Sequence, residues 1–210
     1  MKTEGFIGKV YYGLDLFMKI AYINLLWIIF TVIGLVIFGV APASVALLTI
    51  IRKWLIKDTD IPILSTFFQV YKKEFLKSNL AGLFFLLVFI VLYIQFSYIP
   101  LVDSFLQVIL TIGLIINGMI FLVTFIYFFP IYVHYNLKFH EYFKRSFLMG
   151  MINIHVVLLI CFCFFLIYHL LVYFPVYVGL FLPGIVGLVL MSITLLAFNK
   201  FEEKKARLKK

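Results

Sequence analysis

Charge is what this chain has least of. Only 13% of its 210 residues are Asp, Glu, Lys or Arg, about half the share usual in a soluble domain. None lies between Ile20 and Ile51, between Ser78 and Val102, or between Ser146 and Asn199. Pumps and proton-coupled carriers place ionisable groups at the bilayer midplane, so this scarcity argues against an ion-coupled carrier. Cysteine is nearly absent too. The two present, Cys161 and Cys163, are two apart and point to nearly opposite sides of a helix. They read as small buried hydrophobes, with no shared metal and no local disulfide. No serine–histidine–acid set, carboxylate pair, metal-spaced cluster or phosphate-binding glycine loop is present. The chain is therefore expected to be no enzyme and to carry no cofactor or metal. The acidic residues Asp15, Asp58, Asp60, Glu74 and Glu141 sit among lysines and read as solvated charge.

What is there is apolar surface. Hydrophobic residues make up 65% of the chain and aromatics 20%. Runs near the ~20 residues needed to cross ~30 Å of hydrocarbon recur along the whole length. The expected fold is an all-α, polytopic transmembrane bundle in a single domain. Its spans fall at about 20–38, 42–56, 80–98, 105–133, 151–174 and 176–198, with a charged tail at 199–210. The second is short and reads either as a crossing or as a re-entrant segment. A Gly/Pro corner, Gly39-Val40-Ala41-Pro42, is expected to separate the first two spans.

The location of charge sets the topology. Of the 18 Lys and Arg, three fall in 1–19, six in 52–77, three in 138–145 and six in 200–210. Short loops rich in these residues stay cytoplasmic. One side for all four clusters requires an even number of crossings between them, hence both termini inside. A net charge of +9 placed beside hydrophobic spans points to anionic lipid rather than nucleic acid.

The stretch 61–77 reads as a basic amphipathic helix on the cytoplasmic surface. Leu64, Phe67, Phe68, Tyr71 and Phe75 recur at helical intervals, flanked by Lys72, Lys73 and Lys77. A weak repeat relates Tyr71-Lys72-Lys73-Glu74-Phe75-Leu76 to Phe143-Lys144-Arg145-Ser146-Phe147-Leu148, with Leu16-Phe17-Met18-Lys19 as a fainter third copy. Among polar residues within the spans, Asn24, Asn117 and His155 are candidates for intramembrane contacts. An asparagine there more often binds a neighbouring helix than a substrate. His155 and His169 lie about 21 Å apart along one helix, too far for one metal.

Asn24-Leu25-Leu26-Trp27, the Gly39–Ala43 corner, Ile51-Arg52-Lys53 and Phe67 through Phe75 together resemble the YesL family of bacterial multi-span membrane proteins of unknown function. The resemblance is best over the first 80 or so residues. It implies a bacterial cell-membrane location and company with carbohydrate ABC transporters and glycan-degrading enzymes. It implies no catalytic residues. The leading expectation is a non-enzymatic accessory or regulatory component associated with carbohydrate uptake. A transporter or channel for a neutral solute is the alternative, and a membrane-embedded enzyme the third.

Overall fold

The computed structural model describes residues 6–207. Its elements, in chain order, are α1 (Phe6–Ile33), α2 (Ile37–Leu55), α3 (Ile63–Tyr98), a 3-10 turn (Ile99–Leu101), α4 (Ser104–His134), α5 (Phe139–Ile152), α6 (Ile154–Tyr173) and α7 (Pro175–Arg207). No strand occurs among the described residues. Six helical stretches are long and apolar enough to cross a membrane: Gly13–Ile33, Ile37–Leu55, Ile63–Leu101, Ser104–His134, Ile154–Tyr173 and Val178–Lys204.

Helix α2 is the hub. It touches α1, α3, α4 and α7, and Ala43, Val45–Leu48, Ile50 and Ile51 are all buried. Small residues let its neighbours approach closely, which is how helices associate where lipid offers no hydrophobic drive. A Cβ on Gly39 would collide with the backbone of Thr31 in α1. Aromatic rings fill the next layer. Phe85 of α3 meets Phe121, Phe125 and Phe128 of α4 and Phe143 of α5, with centroids 5.0–6.0 Å apart. Such pairs contribute about 0.5–1.5 kcal/mol each beyond their area.

The expected corner lies elsewhere. The chain turns at residues 34–36, and Gly39 and Pro42 sit inside α2. Leu35 ends α1 in the left-handed region, φ 55°. Its N–H reaches the Val32 carbonyl, while the Val36 N–H reaches that of Thr31, closing the helix as a Schellman motif. Val36, at φ 63° and ψ −65°, bridges a three-residue turn in which the Ile37 N–H donates to the Leu35 carbonyl. This positive-φ γ-turn is rare and strained. Pro42 is tolerated in the helix because its loss is repaired. A proline lacks the N–H that would pair with the carbonyl four residues back, here that of Phe38. The Asn79 side chain of α3 donates to that Phe38 oxygen at 2.9 Å.

The separate surface helix is also corrected. No glycine or proline interrupts 63–81, so the amphipathic stretch runs straight on into the third span as one 36-residue helix. Helix α3 packs on α2, and α5 packs on α4. Each of these two copies of the sequence repeat thus lies on a helix packed against the one before it, though α5 breaks from α6 at Asn153. The charged tail continues α7 as helix to Arg207; residues 208–210, like 1–5, lie outside the described residues.

Candidate functional site

The basic ends of α2, α3, α4 and α5 surround a polar cavity of about 590 Å³. Helix α3 supplies Lys73, Glu74 and Lys77, α2 supplies Thr49, α4 supplies Tyr132 and His134, and α5 supplies Tyr142. The spacing 73, 74, 77 places these α3 side chains on one face. Glu74 accepts a hydrogen bond from the Tyr132 hydroxyl at 2.5 Å. The Tyr142 hydroxyl donates to the Tyr135 carbonyl at 3.3 Å and accepts from the Leu137 N–H at 3.2 Å. These two bonds pin the α4–α5 connection over the cavity.

A second polar group braces the same rim. Arg52 of α2 donates through Nε to His134 Nδ1 at 3.1 Å, leaving Nε2 facing the Glu202 carboxylate of α7 at 4.0 Å. The Tyr135 hydroxyl donates to that carboxylate at 3.0 Å. Burial pushes the Tyr135 hydroxyl well above the usual tyrosine range, and the hydrogen bond and charge of Glu202 push the same way. Three helices that are distant in sequence thus meet through one arginine–histidine–glutamate line.

The residues of the expected surface helix divide in two. Phe67 and Tyr71 are buried against Phe30 of α1, with ring centroids 5.1 and 5.0 Å from it. The Tyr71 hydroxyl donates to the Phe30 carbonyl at 3.0 Å. Phe75 is half-buried and edge-on to Tyr71, while Phe68 remains exposed. The apolar stripe is therefore covered by the protein's own helices at Phe67, Tyr71 and part of Phe75, while Leu64 and Phe68 are left exposed. Lys72, Lys73 and Lys77 stay exposed.

Of the intramembrane polar residues, Asn24 makes an interhelical contact. It is buried, donates to the Ile20 carbonyl at 2.7 Å and accepts from the Gly184 N–H of α7 at 2.8 Å. Asn117 and His155 are exposed and make no hydrogen bond among the described residues. Asn117 instead lines, with Gln95 and Thr124, a cavity of about 480 Å³ between α3, α4 and α5. Sequence reasoning missed the roles of Glu74, Tyr132, His134 and Glu202. Glu74 lies 58 residues from its partner, and no local pattern announces such a pair.

A helical bundle with six membrane-competent helices and a polar, basic mouth is a polytopic integral membrane protein. The chain belongs to a family of such proteins with no known function. Residues 20–96 match the family described as "Protein of unknown function, DUF624". Three Bacillus subtilis (strain 168) relatives, all uncharacterized, are similar over nearly their whole length. YesV is 36% identical over 96% of this chain and 97% of its own. YteU is 34% identical over 97% and 91%, and YesL 29% identical over 90% of each. No solved structure matches the chain.

Proposed function

We propose that this protein is a non-enzymatic accessory or regulatory component of the bacterial cell membrane. In this reading its basic end faces the cytoplasm and docks an acidic face of a membrane partner, in the setting of carbohydrate uptake. One observation carries it. Lys72 and Lys73 stand exposed on a helix already anchored by Phe67 and Tyr71 against Phe30 of α1, so the fold does not need them for packing. A rigid helix presents them as a fixed pair. Rim charges steer association and select partners. The test is Lys72→Glu with Lys73→Glu, purified from the native membrane. Loss of copurifying partner with unchanged cysteine-labelling topology supports docking. Full partner recovery by the double variant overturns it.

The cavity bearing Gln95, Asn117 and Thr124 favours a second reading, passage of a neutral solute. Purified protein in liposomes decides between them, because solute flux without a partner requires the second.

A further inference from the structure

The polar cavity has an apolar neighbour. A second cavity, about 810 Å³, lies between α2, α3 and α4, and Leu80 borders both. The two cavities follow one another along α2 and α4 and overlap along α3 between Leu76 and Leu80. Along α2 the second is lined from Ile37 to Ser44 and the polar one by Val45 and Thr49. Along α4 the order is Phe121, Phe125 and Phe129, then Tyr132 to Leu137. Along α3, which runs the other way, it is Leu76 to Phe89, then Val70 to Leu80.

Their chemistries differ sharply. The second cavity is apolar, with Ser44 and Asn79 its only polar side chains among the described residues. Both are occupied: Ser44 donates to the Val40 carbonyl, and Asn79 to those of Phe38 and Phe75. Nothing in that wall asks for a polar ligand. The first cavity carries two ammonium groups, Lys73 and Lys77. Its carboxylate, Glu74, is already engaged by Tyr132. A basic chamber adjoining an apolar groove at Leu80 complements an anionic head on a hydrocarbon chain. Basic pockets between membrane helices bind anionic lipid head groups.

We infer that the two cavities form one site for an anionic phospholipid of the leaflet at the basic end. The phosphate sits between Lys73 and Lys77, and one acyl chain lies along Leu83, Leu86 and Phe125 between α2 and the α3–α4 pair. The site differs from a diffuse lipid belt in requiring both halves. It shares Lys73 with the docking surface proposed above, but Lys72 does not line it, so the single Lys72→Glu change separates the two.

The test uses full-length protein in detergent after equilibration with phosphatidylglycerol or phosphatidylcholine vesicles, with bound lipid counted by native mass spectrometry. The wild type retains one phosphatidylglycerol per chain in preference to phosphatidylcholine. Lys73→Ala with Lys77→Ala lowers that retention about thirtyfold, in keeping with about 1 kcal/mol per lysine. Leu83→Trp, an exposed position at the groove, lowers it as well by obstructing the acyl chain. Lys72→Glu leaves it unchanged while abolishing partner recovery if docking holds, so either proposal can fail alone. Equal retention of both lipids overturns the site. So does loss with the lysine variant but not with Leu83→Trp, which would show a head-group or free-phosphate contact only. Retention unaffected by either variant also overturns it.

Discussion

Two helical hairpins built from similar residues have unequal reach. The α1–α2 hairpin is short, tightly closed and apolar at its tip. Leu35 and Ile37 there are 78% and 76% exposed, and the nearest charged residues are Lys19 and Arg52. The α3–α4 hairpin is long and ends in Pro100, Asp103 and Ser104. Its inner flanking cation, Lys77, lies 21 residues before the end of α3 at Tyr98, about 31 Å at 1.5 Å per residue, a full hydrocarbon thickness. The Phe38 carbonyl meets Asn79, so the short tip is level with the start of that stretch. Helix α3 continues 19 residues beyond Asn79, about 28 Å. Because the tip is apolar, exposed and uncharged, it is expected to lie in hydrocarbon, just inside the level of Lys77. Burial follows the same division. Half of the span window in α2 is buried inside the protein but only 11% of that in α3 or α4. The short hairpin is a core element, and the long one is a lipid-facing arm.

The largest test of this contrast is steric. Gly39→Leu drives a side chain into the Thr31 backbone at the neck of the short hairpin and is expected to cost about 3 kcal/mol or more. Gly113→Leu in the long hairpin adds a Cβ that meets only the flexible Gln95 amide, at 3.3 Å. It should leave yield and monodispersity in detergent near wild type. Similar losses from both would erase the distinction.

Next in size is the proline repair. Asn79→Leu strips the donor from the Phe38 carbonyl and should destabilise by about 1–3 kcal/mol. Pro42→Ala restores a backbone N–H for that carbonyl. In its background Asn79→Leu should cost clearly less, as a double-mutant cycle of denaturation in detergent would show. An unchanged cost would separate Asn79 from the proline. The smallest effect belongs to the tip. Leu35→Gly relieves a left-handed residue and should stabilise by about 1 kcal/mol or less, read as a rise in thermal midpoint. A fall would mean that the leucine side chain contributes more than the backbone conformation costs.

These residues also show what was legible beforehand. The six apolar stretches and the four basic clusters were visible, because hydropathy and charge are local properties. Asn24, Asn117 and His155 were equal candidates for intramembrane contacts, and local sequence did not show that Asn24 alone would meet another helix, at the Gly184 N–H. The corner was not visible either. Gly39 and Pro42 carry the local signature of a break, yet Asn79, 37 residues on in sequence, makes the break unnecessary. The real turn uses Leu35 and Val36, which local propensity does not mark. The amphipathic stretch at 61–77 was visible as helix, but not its continuity with the third span, because Ser78 and Asn79 look like a boundary until Asn79 is seen bonding to the Phe38 and Phe75 carbonyls. Glu74 read as solvated charge for the same reason, its tyrosine lying on another helix.

The depth of the two tips is most directly measured by cysteine accessibility. With Cys161 and Cys163 replaced, single cysteines at Leu35 and Val102 are exposed to an impermeant maleimide on membrane fragments open to both sides, so that depth alone decides labelling. The unequal-hairpin account predicts rapid labelling at Val102 and none at Leu35 until detergent is added. Equal labelling of Leu35 and Val102 in intact bilayers would contradict it.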